Sequence, residues 1–518
     1  MATKKQWGTL KIGCFGVLTI VAMLVVWLGY MVVWAFTAKP GTGIAGAVRI
    51  EELIAIHQPK GHDGAAAFQS LVETAALFTL EEQAFRKEFP EGSKPADWPR
   101  TIDFPYDFAA MEQLGVPAPA VANTTALMDR LAKSGVPDAL DRIAAEPAFA
   151  RPIVAAVGNQ VLIDLLLPEL GKVRAFARYN GARIARATSD GNEPEIVRAF
   201  DSSLGVARAA AADPIVISRL LALAVFTKAS GDLRAALTER RLSAATLTAL
   251  LESLDRQTVW PPFDMCLEGE RAFALDMIQR SFSDDGDGDG RMIQTEVDKF
   301  RGVNPTAIAA WLGASKLMNV VGFAVPGKKE NVTRANELYD AMIAHARKPI
   351  AVRRALGSIS ASFDEADQRR YPALATIIPA LDRAVQADST LAPLIDGTRL
   401  MLVIELYRAK NDGYPASLDA LAPEFIPAVP TDAFTGTPFG YIRLATPDEF
   451  GRNYILYSYG SNGADDQGAY DRLRNFHKLL RETRRDSLTW VERRQQLSAW
   501  KSRGKEARVR MKMKRGDG

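Results

Sequence analysis

Apolar residues recur every three or four positions through most of the chain, a spacing that predicts amphipathic helices. Ile196, Phe200, Leu204, Ala207 and Ala211 share one such face, opened by Pro194 after a Gly191-Asn192 turn. Asp213-Pro214 reads as an N-cap with proline at the first helical position, and Ile217, Leu220, Leu221, Ala224 and Val225 continue on one face. Ser243 reads as another cap, ahead of a stripe of Leu247, Leu250, Leu251 and Leu254. Short turns between such helices predict antiparallel neighbours, hence a bundle or stacked helical hairpins. No fixed repeat period identifies a solenoid. Helical spacing dominates from about 64 to 260 and returns from Asn331 to about Ala409, with breaks near Pro372 and Pro379.

Two segments depart from this amphipathic pattern. Ile12 to Ala38 is a run of 27 residues without a charge, and about 20 apolar residues span a bilayer. Trp7 and Trp34 lie near its ends, where amphipathic rings prefer the headgroup zone. Lys4, Lys5 and Lys11 precede it and only Lys39 follows closely, so the expected topology is a single-pass anchor with a cytoplasmic N-terminus and an extracytoplasmic, periplasmic body. A cleaved signal peptide fits less well, because its apolar region is shorter. The second segment, Ala307 to Val325, is interrupted by Lys316 and Asn319 and is expected to be a buried helix rather than another span.

Residues 39–63 read as a Gly/Pro-containing linker around a short apolar piece, Leu53 to Ile56. From Gly413 the texture changes: Pro415, Pro423, Pro427, Pro430 and Pro438 punctuate short segments. Tyr441 to Leu444 and Tyr454 to Tyr459 then read as strands of a small sheet. The expected fold is mainly α: a transmembrane helix, an extracytoplasmic helical bundle over 64–394, a small α+β domain over 395–470, and a helical tail over 471–518.

Charge sharpens the reading of that tail. From Arg472 onward there are 16 Lys/Arg against 5 Asp/Glu, whereas the preceding residues carry 48 against 56. A basic helix with Trp490 and Trp500 offers contact to anionic lipid headgroups or an acidic partner, and nucleic acid is not expected outside the cytoplasm. The two cysteines, Cys14 and Cys266, fall in the anchor and in the body, so no disulfide framework is expected.

The sharpest chemical signal is residues 285–296, Asp-Gly-Asp-Gly-Asp-Gly-Arg-Met-Ile-Gln-Thr-Glu. This stretch resembles the twelve-residue calcium loop of EF-hand proteins. Ca²⁺ takes six to eight oxygen ligands. Asp285, Asp287 and Asp289 alternate, so one tight loop turns three carboxylates toward a point. Gly290 permits the bend, the Arg291 carbonyl adds an oxygen, and Glu296 closes the shell with two more. On the entering helix Met277 fits the EF-hand pattern but Arg280, Ser281 and Asp284 do not, and no second loop offers itself for pairing. A structural calcium clip is therefore expected, not a sensor that opens a groove.

Residues 395–468 resemble the C-terminal region of the major pseudopilin (protein G) of type II secretion systems. The resemblance rests on Leu406-Tyr407, Asp412-Gly413-Tyr414-Pro415, Leu418, Leu421, Pro430-Thr431-Asp432, Gly436-Thr437-Pro438, Tyr441, Tyr457-Ser458-Tyr459-Gly460 and Gly463-Ala464-Asp465-Asp466. It implies a long helix, a turn and a small sheet whose last loop binds calcium, with Asp465 and Asp466 as further ligands. The family's basic leader and peptidase site have no counterpart before the apolar run, and more than 350 residues separate that run from the resemblance. A reused folding module is the expectation.

No assignable nucleophile, base or phosphate-binding loop accompanies these features. His57 and His62 sit in the linker without zinc-like spacing. The expected role is structural or interaction-based in a cell envelope, with envelope proteins as partners. A component of a secretion apparatus and a hydrolase with scattered catalytic residues are the alternatives.

Overall fold

The computed structural model describes residues 4–41, 45–58, 61–88, 118–152, 170–283, 288–300, 314–448, 451–465 and 467–468. Helices α1 (Lys4–Thr37), α2 (Ala45–Ile56) and α3 (Gly64–Lys87) come first, then α4 (Ala118–Lys133), α5 (Val136–Ala145) and α6 (Leu170–Asp190). The central hairpins are α7 (Glu193–Ala211), α8 (Val216–Glu239) and α9 (Ala244–Gln257), followed by α10 (Phe263–Ser281), α11 (Gln294–Phe300) and α12 (Ala314–Leu317). A 3₁₀ turn, Met318–Phe323, leads to α13 (Lys328–Ala346), α14 (Ile350–Leu356), α15 (Glu365–Arg370), α16 (Ile378–Asp388) and α17 (Leu391–Asn411). Two short strands, β1 (Gly440–Arg443) and β2 (Tyr454–Tyr457), pair antiparallel with Tyr441 opposite Leu456.

Local chemistry sets several of these boundaries. The Asn192 side chain accepts from Glu195 N at 3.3 Å, and Pro194 lies in the first turn of α7, where its missing N–H costs nothing. Ser243 caps α9 through Thr246 N at 3.3 Å. The helix expected to start at Pro214 begins instead at Val216, with Ile215 as its cap residue. Asp213 is occupied elsewhere: its carboxylate receives Arg151 Nη2 at 2.9 Å and Ser218 Oγ at 3.1 Å in a buried clamp across the α7–α8 turn. Glu270 Oε1 supplies the missing cap from α10, accepting from Val216 N at 2.9 Å. That close crossing requires Gly269, since a Cβ there would lie 1.6 Å from the Pro214 carbonyl oxygen.

The main core joins α3 through α9 to α17, with Phe78, Phe176, Tyr179, Phe200, Phe226, Leu247 and Leu402 buried. A second core gathers α10, α13 and α16 around Phe282, Met292, Tyr339 and Leu374. Within the expected linker, Ile50 and Ile54 of α2 pack against Ile215 and Ala272, so this short apolar piece is a docked helix. Leu400, Val403 and Ile404 on another face of α17 meet Leu418, Leu421 and Phe439. That helix therefore belongs both to the bundle and to the sheet-bearing end. The basic tail and residues 301–313 lie outside the described residues.

The expected membrane anchor is overturned: among the described residues no helix is long and apolar enough to cross a membrane. With it goes the single-pass topology and the periplasmic placement drawn from the lysine asymmetry. Part of the apolar run is used for intramolecular packing. Met31 and Ala35 are buried, Asn319 Nδ2 donates to the Ala35 carbonyl at 3.0 Å, and Phe323 stands edge-on to Trp34 with ring centroids 5.0 Å apart. Val21, Val25, Val26, Leu28 and Val33 of α1 are exposed. The stretch expected as one buried helix over 307–325 is, where described, α12 and the 3₁₀ turn, with Leu317, Met318 and Val321 exposed and Asn319 and Gly322 buried.

Candidate functional site

The acidic loop joins α10 to α11, so it sits in a helix–loop–helix setting. The entering helix stops at Ser281, because Phe282 turns extended and pairs with Met292 in an antiparallel bridge. Both side chains are fully buried. Ser283 N donates to Arg291 O at 3.0 Å and Ile293 N to Ser281 O at 2.7 Å, which clamps the two ends of the loop together. The exit helix starts at Gln294 and places Glu296 in its first turn, where the helix dipole favours a carboxylate.

Of the expected calcium ligands, Asp289, Arg291 and Glu296 are described, whereas Asp285 and Asp287 lie outside the described residues. Glu296 turns both oxygens to one cation, the Lys299 ammonium, at 2.7 and 2.8 Å. Lys299 is 69% exposed, so releasing it from Glu296 costs little. The exposed Asp289 gives Oδ1 to Lys329 N at 2.9 Å, at the start of α13. Lys328 N donates to the Gly290 carbonyl at 3.2 Å. The uncapped first turn of α13 thus borrows its acceptors from the loop, because Gly327 has no side chain to supply one. The donor set suits a hard cation: carboxylate and carbonyl oxygens with no nitrogen or sulfur.

Among the described residues no three His, Cys, Asp or Glu side chains converge to hold a metal. Asp289 and Glu296 alone do not make a complete site. At the C-terminal end, Asp465 Oδ1 accepts from Tyr457 OH and Gln467 N, both at 2.8 Å, and Asp466 lies outside the described residues. The carboxylate that organises this end is Asp432, which is fully buried. It accepts from Phe434 N at 2.9 Å, Ser458 Oγ at 2.8 Å and Tyr459 N at 2.6 Å, tying the 431–438 turn to the last loop. Arg354 Nη1 holds the same loop from α14 by donating to Asn462 O at 2.9 Å.

His57 and His62 do not share a site. His57 Nδ1 lies 3.0 Å from Leu53 O, and His62 Nε2 lies 3.3 Å from Ala148 O and 3.6 Å from Glu146. Several other buried charges are paired for packing. Arg183, for example, reaches Glu195 at 2.8 Å and Asn180 at 3.0 Å inside the main core. Burial also pushes the Cys266 thiol up to about 12, which makes it a poor nucleophile.

Sequence reading missed the neighbours of the calcium-like loop: Asn319, Phe323, Gly327 and Lys329. Their one visible signal was Asn319 itself, a polar residue interrupting an apolar stretch. Comparison with known protein families, with curated proteins and with solved structures finds no match. Nothing in those comparisons or in the described residues ties the chain to a secretion apparatus.

Proposed function

We propose that this chain is a helical scaffold with a structural or interaction role, in which residues 285–296 bind calcium as a structural clip. The observation that carries this reading is Glu296. It sits in the first turn of an exit helix, at the twelfth position of the loop pattern, with only the exposed Lys299 ammonium on its two oxygens. When bound, calcium supplies charge neutralisation and a fixed centre for the loop's oxygens. The chain's own part is to close the loop ends through Phe282 and Met292 and to hold Asp289 against α13.

A scaffold role is supported by the way buried charges are used for packing, as in the pairs of Arg151 with Asp213 and Arg183 with Glu195. The C-terminal end, where α17 runs through a turn into a two-stranded sheet, supports reading 395–468 as a pseudopilin-like folding module.

Thermal unfolding with and without calcium tests the clip. A loop at the weak end of known affinities, roughly 10⁻³ M, gains about 1 kcal/mol at about 5 mM calcium. The melting temperature of the wild-type chain rises, and that of Glu296→Ala does not. An equal rise in both proteins overturns the assignment.

A further inference from the structure

Between Asp340 and Asp364 the chain carries four Lys/Arg and no carboxylate. The segment covers the end of α13, the corner after it and α14. Backbone bonds close that corner: Lys348 N donates to His345 O at 3.0 Å and Arg353 N to Pro349 O at 2.9 Å. Two of the four cations find acceptors elsewhere. Arg347 Nε donates to Asp264 at 2.7 Å, and Arg354 Nη1 to Asn462 O at 2.9 Å. The exposed Lys348 and the half-buried Arg353 have no side-chain hydrogen bond or ion pair among the described residues. For Arg353 this is costly, because its Nε is closed to water and a charged donor buried without an acceptor is penalised. The carboxylates that act on this corner from α16 are already committed. Asp388 Oδ1 accepts from Arg219 Nε at 2.7 Å, and Asp382 Oδ2 from Ser358 Oγ at 2.6 Å and Gln386 Nε2 at 3.2 Å. His345 registers the positive surplus: burial, then the Arg353 and Lys348 charges, hold its imidazole below the ordinary value of 6.5 against the opposing pull of Asp382.

We propose that Arg353 and Lys348 bind a phosphate group at the corner between α13 and α14, beside His345. A phosphate dianion answers both unspent charges, whereas a single carboxylate answers one. The planar guanidinium of Arg353 grips an oxyanion through paired N–H donors, and the Lys348 ammonium adds a mobile point charge. An anion seated here removes a penalty that the folded chain otherwise carries, which is the driving force for binding. Leu356, one turn along α14 from Arg353 and 57% exposed, offers an apolar neighbour to the organic part of a phosphate ester. The site is independent of the loop at 285–296 and of any metal there.

Thermal unfolding of the full-length chain in calcium-free buffer, with millimolar inorganic phosphate or with chloride at matched ionic strength, reads the site. Phosphate raises the melting temperature and chloride does not. Arg353→Met keeps an unbranched apolar stem but loses the charge. Without phosphate this variant is at least as stable as wild type, since a penalised charge has gone, and its affinity for phosphate falls about tenfold or more. Lys348→Gln, at an exposed position, lowers the affinity several-fold and leaves the fold intact. An NMR pH titration of the His345 ring adds a readout that a merely structural role does not move: phosphate raises its pKa, because a neighbouring anion favours the imidazolium. Phenyl phosphate separates the two sources of the group. Tighter binding than inorganic phosphate identifies an ester, equal binding the free ion, and either result keeps the site. Equal phosphate effects in wild type and Arg353→Met, an equal rise with chloride, or an unmoved His345 overturns the proposal. So does a marked loss of stability in Arg353→Met without phosphate, which would mean that the guanidinium is paired within the chain.

Discussion

The buried clamp between Arg151 and Asp213 makes a quantitative prediction about what holds the central hairpins in place. Asp213 lies in the turn between α7 and α8, and Arg151 reaches it from a segment 62 positions earlier. Three N–H···O contacts of 2.9 to 3.2 Å join the two side chains, which are 7% and 6% exposed. The guanidinium also stacks 4.4 Å from the Phe68 ring centroid, so it fastens α3 to the same point. In Arg151→Met the Asp213 carboxylate stays buried with Ser218 as its remaining side-chain hydrogen-bond donor. Removing one partner of a buried pair costs about 3–5 kcal/mol. At 1.4 kcal/mol per decade, that raises the opening constant of this region by roughly two to three and a half powers of ten. Native-state hydrogen exchange of amides in α7 and α8 measures this locally, which avoids assuming that a chain with several cores unfolds in one step. The double variant Arg151→Met/Asp213→Leu removes both charges and is expected to recover much of the loss. A single-variant cost below about 1 kcal/mol, or a double variant no better than the single, refutes the idea that charge burial dominates here.

The remaining expectations concern single groups. Burial works to raise the Glu193 carboxyl, but hydrogen bonds from Ser243 and Thr246 outweigh it and hold the group below its ordinary value of 4.5. The folded state therefore binds fewer protons. The stabilisation is whole above about pH 4.5 and fades as pH falls through the lower folded value, so Glu193→Gln should be less stable than wild type at neutral pH and equal to it in acid. A stability gap that persists unchanged in acid denies the carboxylate that role. Cys266, 1% exposed and with its thiol pushed up to about 12, should resist iodoacetamide in the native chain and react on unfolding in urea. Rapid labelling of the folded protein would contradict its burial. Gly269→Ala places a methyl 1.6 Å from the Pro214 carbonyl oxygen and should cost about 3 kcal/mol or more in denaturant unfolding. A neutral effect would mean that α10 and the α7–α8 turn do not meet as closely as described.

Much of the architecture is local and therefore legible. The Asn192 and Ser243 caps, Pro194 in the first turn of α7, and the stripe Ile196, Phe200, Leu204, Ala207 and Ala211 all follow from chemistry within a few residues. The two strands are announced by short runs containing Tyr and Ile between turn residues. The loop at 285–296 is equally local, since its oxygens come from twelve successive residues.

Residues far apart decide the rest. Asp213 had the sequence of an N-cap, yet burial beside Arg151 offers its carboxylate a charged partner, and the cap passes to Glu270. The apolar run after Lys11 had the composition of a membrane span. Among the described residues no helix meets that requirement, and the end of α1 is packed on the 3₁₀ turn through Asn319, 284 positions away. Periodicity and capping report what a residue does to its neighbours within a turn or two of helix. Which apolar face meets which, and whether a polar side chain spends its hydrogen bonds nearby or across the molecule, depends on how the closed chain shares out burial. Sequence alone therefore determined the helices of the central hairpins, the strands and a loop rich in calcium-type oxygens. Only tertiary structure placed that loop against the ends of α1 and α13, because those contacts form between segments that come together only on folding.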